Sequence, residues 1–316
     1  MFVLRCLGVS LSCFLLLYIA LSLSVMRGWR IVKRASGELS AQALSSLLLT
    51  LRILPFAVAL LITLIFVIPS FLLLEPRVVA EPVGEIPLTL GVVCLLLLFA
   101  GALNALVAQR KTSRAVNAWL QNATTEPHCY PVPLFRVRPP APALAVAGGL
   151  SPRVFLSDAA ARLLDPPELE TALKHEIAHV RRRDNLKKLL FRIFALPGMS
   201  ALDTAWSEAA EMSADDAAVS NSREALDLAS ALIKLSRFAP THPDAVLASG
   251  LAQPAGSVLN ARIARLMAWN ETRPSKPTRS FFPLGVLAFL GATLCVMVTY
   301  GVALTDMHKV TEWLVR

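Results

Sequence analysis

Long, unbroken apolar runs dominate this chain. Four of them are long enough to cross a bilayer, which takes about 20 apolar residues: Phe2 to Val25, Ile53 to Leu74, Ile86 to Ala108 and Phe281 to Leu304. Arg52, Glu75, Glu85 and Arg110 bracket the middle two closely. Pro55, Pro69 and Pro87 lie near helix ends, where a missing backbone donor costs least. The first run exceeds the roughly 7–15 apolar residues of a signal peptide and a basic cluster follows it directly, so it reads as a membrane anchor.

Between the third and fourth runs the pattern changes to short alternating and helical periods. Leu134 to Arg138 alternates like a strand inside the proline-rich stretch Glu126 to Pro142. Ala143 to Ala147, ended by Gly148 and Gly149, is a second candidate and Arg153 to Ser157 a third, together making a small sheet. Helical patterning takes over from there. Asp165 is a candidate N-cap with Pro166 at the first helical position and Glu168 closing a capping box, which predicts a helix from Pro166 to about Arg182. A second helix, Asn185 to Leu196, carries Leu186, Leu189, Leu190 and Ile193 on one face and Lys187, Lys188 and Arg192 on the other. Its apolar stripe could lie on the membrane surface, but packing in a domain core is the commoner use of such a face. Ser222 to Phe238 is a further amphipathic helix, and Thr241 to Ser257, rich in Pro, Ala and Gly, is expected to be mobile.

The predicted fold class is a mainly α membrane protein. Four transmembrane helices are expected, with an α+β domain inserted between helices three and four. Residues 1–108 would hold three spans (about 2–25, 53–74 and 86–108), 109–280 the domain, 281–304 the fourth span and 305–316 a short extracytoplasmic tail.

Composition agrees: 55% of residues are hydrophobic and only 17% charged, against about 25% charged in a soluble domain. Lysines and arginines in the short loops set the orientation. Arg27, Arg30, Lys33 and Arg34 follow the first run, with Glu38 as the only acid, whereas Glu75, Glu81 and Glu85 face a lone Arg77 after the second. Arg110, Lys111 and Arg114 follow the third run, and Arg273, Lys276 and Arg279 precede the fourth. This places residues 109–280 in the cytoplasm and both termini outside, in a multi-pass protein of the inner (plasma) membrane. The net charge of +9 needs no nucleic acid, because anionic lipid attracts each juxtamembrane basic residue by about 1 kcal/mol. Cys6, Cys13, Cys94 and Cys295 fall in proposed spans and Cys129 stands alone, so neither a disulfide framework nor a cysteine zinc knuckle can be built.

The candidate chemistry lies at His175-Glu176-Ile177-Ala178-His179, an H-E-x-x-H pattern. On a helix, positions i and i+4 share a face, so both imidazoles can reach one Zn2+ ion. Glu176 sits beside that face, placed to act on a water as general base without ligating the metal. A catalytic zinc usually takes three protein ligands. Glu211, four residues before Asp215 in the run Glu208 to Asp216, is favoured as the third, with Glu208 as fallback and His242 less favoured. Asp215 could orient a histidine ring from behind. Arg237, His242, Arg262 and Arg265 are open candidates for a second electrophile. The strand Val154 to Leu156 could hold an extended substrate by strand addition or be buried within the sheet.

Arg153 to Ser157, then Glu168 to Asp184, then Glu211 to Asp215 resemble the gluzincin membrane peptidases. Three spans before the motif and one after resemble the BlaR/MecR-type branch rather than the HtpX-like branch, and Arg262 to Leu266 is similar too. The resemblance implies a gluzincin protease domain with His175, His179 and Glu211 on zinc, Glu176 as general base and Asp215 behind the ligands. It also implies transmembrane signalling by cleavage of a cytoplasmic protein, often a transcriptional repressor, or of the receptor itself. Antibiotic-sensing members carry a large extracellular sensor after the fourth span, whereas Thr305 to Arg316 follows it here, so a beta-lactam-binding role is not expected. The expected function is therefore an integral membrane zinc endopeptidase in signalling or regulated proteolysis. The alternative is a non-proteolytic transducer with a structural zinc. Expected partners are a cytoplasmic protein substrate or the chain itself, the lipid bilayer and, in a homodimer, a second copy.

Overall fold

The computed structural model describes residues 2–35, 39–75, 84–121, 123–125, 132–138, 141–194, 198–237, 248–249, 256–269 and 300–312. Glu38, Arg77, Glu81, Cys129, His242, Arg273, Lys276, Arg279 and Cys295, with residues 281–299 of the last apolar run, lie outside them.

Three helical segments are long and apolar enough to cross a membrane. The first is α1 (Phe2–Ala35). The second joins α2 (Ala41–Ile62) through a π-helical turn (Thr63–Val67) to α3 (Ile68–Leu74). The third is α4 (Glu85–Leu120). The π-turn has a local cause. Pro69 has no N–H to offer the Ile65 carbonyl four residues back, and in hydrocarbon a freed carbonyl must find another donor. The Tyr300 hydroxyl, on a helix over residues 300–312, donates to that carbonyl at 3.0 Å. Gly8 and Gly91 let α1 and α4 approach closely, since a Cβ on Gly91 would stand 3.3 Å from the Gly8 backbone. Arg5 and Glu75 form a buried ion pair at 2.9 Å between α1 and the end of α3.

After α4 come β1 (Thr124–Thr125), β2 (Leu134–Val137), β3 (Leu144–Ala147), β4 (Arg153–Ser157), α5 (Asp158–Leu163), α6 (Pro166–Arg182), α7 (Asp184–Ile193), α8 (Ser200–Ala218), α9 (Ser222–Ser236), β5 (Ala248–Ser249) and α10 (Gly256–Met267). The sheet order is β1-β2-β4-β3-β5, with β2 and β4 parallel and the other pairs antiparallel. Strand alternation gives the sheet two apolar faces. Leu144, Val146, Val154 and Leu156 join a core with α6 and α9. On the other face Phe155 meets Trp119 of α4, edge to face at 5.2 Å. Thus α4 runs unbroken past Ala108 and packs its last turns directly on the sheet.

Of the two uses left open for the strand Val154 to Leu156, burial within the sheet is the one found: β4 lies between β2 and β3 with both edges paired and cannot accept a substrate strand. The next strand, β3, is likewise paired on both sides, with β4 on one edge and β5 antiparallel at Val146 and Ala147 on the other. The helix expected from Asn185 to Leu196 instead begins at Asp184 and ends at Ile193, and it packs chiefly on α4 rather than in the core around the sheet. Its carbonyl end enters the bundle of α1, α2 and α4. Phe194 meets Phe56 with ring centroids 4.2 Å apart. Tyr18 donates to the Phe194 carbonyl at 2.9 Å, and Arg52 donates to the same carbonyl at 2.8 Å and to Phe191 at 3.1 Å. Helix ends leave carbonyls without intrahelical partners, and at membrane depth those groups must be met by protein donors. Arg52, buried at 2% exposure within an apolar helix, is explained by that demand and by its 2.6 Å bond to Asp203 of α8.

Gly101 of α4 faces this helix end, where a Cβ would stand 2.3 Å from the Ile193 carbonyl oxygen. Gly101→Ala is therefore expected to force α7 outward and cost about 1–3 kcal/mol, as overpacking does. Gly28→Ala, with nothing within 4 Å of the added Cβ, is the control. The thermal unfolding temperature of the purified protein in detergent should fall for the first and hold or rise slightly for the second, since alanine favours a helix over glycine.

Candidate metal centre

The site is built on α6. Its start is fixed as the sequence predicts, since Asp165 caps the helix and the Glu168 carboxylate accepts from the Asp165 N–H at 2.9 Å. Glu168 also accepts from Ser230 and Lys234 of α9, and Lys174 pairs with Glu224, which pins α6 to its neighbour. His175, Glu176 and His179 are then buried at 0%, 0% and 3% exposure. The helix ends at Arg183, whose φ of 53° makes it the only non-glycine residue with positive φ among the described residues. That left-handed turn, disfavoured by about 1–2 kcal/mol for an L-residue, reverses the chain at once so that Asp184 points back at α6. Asn185 fixes the reversal by donating to the Val146 carbonyl of β3 at 3.1 Å.

A carboxylate lies behind each imidazole, hydrogen-bonded to the ring in the case of His179. His179 Nδ1 lies 2.8 Å from Asp184 Oδ2, and His175 Nδ1 lies 3.0 Å from Asp215 Oδ1. The two Nε2 atoms therefore face each other at 3.1 Å. Glu211 of α8 closes the group, with Oε2 at 3.5 Å from His175 Nε2 and Oε1 at 3.5 Å from His179 Nε2. A tetrahedral ion with bonds of about 2.0–2.1 Å separates its ligand atoms by about 3.3 Å; the ring nitrogens stand close to that spacing from each other and from the nearer Glu211 oxygen, and one donor atom from each of the three residues lies within 4.8 Å of the others. Among the described residues this trio is the group able to hold a metal. Glu208 is not part of it, and His242 lies outside the described residues.

The electrostatics suit a cation. Glu176, Glu211, Asp215 and Asp184 bring four carboxylates into a buried space. Burial opposes a charge on His179, but the negative charge of Glu211 and the Asp184 hydrogen bond raise its pKa to about 9. Burial likewise opposes ionisation of Glu211, yet the His179 charge and contacts to both rings hold its carboxyl well below the ordinary range. An imidazolium cannot ligate, so cation uptake at neutral pH must displace the His179 proton.

Sequence reasoning named His175, Glu176, His179, Glu211 and Asp215 for this site, and the fold brings all five together. It assigned no role to Asp184, whose place depends on the Arg183 turn. Lys188 was also missed as a site residue. Burial lowers its pKa while the charges of Glu211, Asp184 and Glu176 oppose that shift. Of the candidate electrophiles, Arg262 and Arg265 are otherwise engaged. Arg262 binds Asp215 and Glu211, Arg265 binds Asp216 and the Met212 carbonyl, and Arg237 is exposed at the end of α9.

The family model described as BlaR1 peptidase M56 matches residues 85–266, more than half of the chain. The chain belongs to this family. The match runs from the start of α4 into α10, so the M56 region contains every residue of the centre as well as the helix that joins it to the bundle. No curated protein matches the chain. With three membrane-length apolar helices, the M56 match identifies a membrane metallopeptidase.

Within this M56 centre, Asp184→Ala would free the His179 ring and strip its counter-charge. Loss of such an orienting partner weakens metal binding by about 10–100-fold. Zinc titration of the metal-free protein should show that loss, and an unchanged affinity would mean that the Arg183 turn does not serve the site.

Proposed function

We propose that this protein is an integral membrane zinc endopeptidase that cleaves a cytoplasmic protein, or itself, in transmembrane signalling or regulated proteolysis. The observation that carries the reading is the placement of Glu176. It is fully buried beside two imidazoles and a carboxylate at ligand spacing. A structural zinc needs no such glutamate.

In this reading His175, His179 and Glu211 hold the ion, and Asp215 and Asp184 fix the two rings. A zinc ion there supplies Lewis acidity, lowering the pKa of water and polarising the scissile carbonyl. Glu176 takes the proton of the attacking water and delivers it to the leaving amine. Burial of the site excludes bulk solvent, which strengthens the pull of each charged group on its neighbours.

The basic residues Arg27, Arg30, Lys33 and Arg34 near the end of α1 and Arg110, Lys111 and Arg114 in the last third of α4, against Glu75 at the end of α3 and Glu85 at the start of α4, support a cytoplasmic site with both termini outside. The repressor-like substrate and the homodimer rest on the family resemblance alone.

Glu176→Gln removes the base and leaves the three ligands. In membranes expressing the full chain it is expected to retain zinc at the wild-type level while cleavage falls by about 10²–10⁴-fold. Comparing self-cleavage and the fragments of co-expressed cytoplasmic proteins checks this. Identical fragment patterns from both chains would remove the protease reading.

A further inference from the structure

Arg262 is fully buried, which is unusual for a guanidinium and costly unless every donor is used. Its Nε and Nη2 donate to Asp215 Oδ2 and Oδ1 at 2.8 and 2.6 Å, and its Nη1 donates to Glu211 Oε2 at 2.9 Å. Asp215 Oδ1 is the same oxygen that faces His175 Nδ1 at 3.0 Å. One side chain from α10 thus binds both the third ligand candidate and the carboxylate behind the first. No pairing of this kind is needed to hold α8 and α10 together, because Arg265 already joins them through Asp216 one turn on.

A carboxylate can meet a metal through one oxygen or both. Chelation through both would fill the corner that a hydrolytic zinc must keep open. Glu211 has one oxygen, Oε2, committed to Arg262, while Oε1 faces His179 Nε2.

We infer that Arg262 is a positioning residue that reserves Glu211 Oε2, so that the glutamate meets the metal through Oε1 alone and one coordination corner stays open for water or substrate. This deepens the zinc peptidase reading and rests on it. The guanidinium fork suits the task because it spans two carboxylates at once. A lysine ammonium is a point charge that cannot reproduce the planar paired bonds. The remaining carboxylate pair cannot substitute either, since Asp215 without its arginine would be a buried charge facing the same ring.

The test uses the full-length protein in detergent, stripped of metal and reloaded with Co2+, whose visible spectrum reports coordination number. Wild type, Arg262→Lys and Arg262→Met are compared, with thermal melts to confirm folding. Wild type should take up one cobalt per chain with an intense four-coordinate spectrum that shifts on adding acetohydroxamate. Both variants should bind cobalt about 10–100-fold more weakly. They should also give a weaker five-coordinate spectrum and shift little with acetohydroxamate, because the open corner is filled. If Arg262→Met fails to fold, Arg262→Lys decides alone. A folded Arg262→Lys with the wild-type spectrum, affinity and acetohydroxamate response overturns the inference while leaving the peptidase reading intact. A wild type that takes up no cobalt overturns the metal reading itself, and this inference with it.

Discussion

Two imidazole nitrogens 3.1 Å apart, each ring pushed forward by a carboxylate at its back, are the constraint around which the rest of this protein is arranged. Neutral rings oriented in this way would point lone pairs at each other, an arrangement that favours a positive charge between them, whether a proton on His179 or a metal cation. The Glu211 carboxylate, 3.5 Å from both, adds charge of the right sign. The surrounding devices follow from holding that arrangement in a buried place. The left-handed Arg183 aims Asp184, α8 delivers Glu211 and Asp215 one turn apart, and Arg262 neutralises the second row of acids.

The centre is tied to the membrane helices more tightly than a tethered domain would be. The same α7 that starts at Asp184, against His179, ends among α1, α2 and α4, where Arg52 and Tyr18 receive its carbonyls. Arg52 also binds Asp203 near the start of α8, the helix that carries Glu211. The last turns of α4 are buried against the sheet through Trp119 and Val116. A displacement of α1 or α2 would therefore reach a ring-orienting aspartate and a candidate ligand through single helices.

Much of this was legible because it is written in local patterns. The i, i+4 histidines, the Asp165 and Glu168 capping box, the three alternating strands and the apolar runs each report a periodicity or a cap that depends on near neighbours. The third ligand candidate was also accessible, since Glu211 and Asp215 obey the same i, i+4 spacing. What escaped depends on backbone reversals and distant partners. Nothing in three consecutive arginines shows that Arg183 adopts a left-handed turn, so Asp184 remained without a role. Arg262 was weighed as an electrophile because its distance along the chain gave no hint that two buried acids would claim it. The amphipathic stripe of α7 identified an apolar face but could not say that the face would meet α4. The strand β4 looked able to take a substrate because pairing on both sides is a property of the whole sheet.

Zinc K-edge X-ray absorption on the purified full-length protein tests the central claim most directly. One zinc per chain is expected, with scattering from two imidazoles and from oxygen ligands at about 2.0–2.2 Å and none from sulfur. A protein with no stoichiometric zinc, or a zinc shell lacking the two imidazoles, would contradict the account.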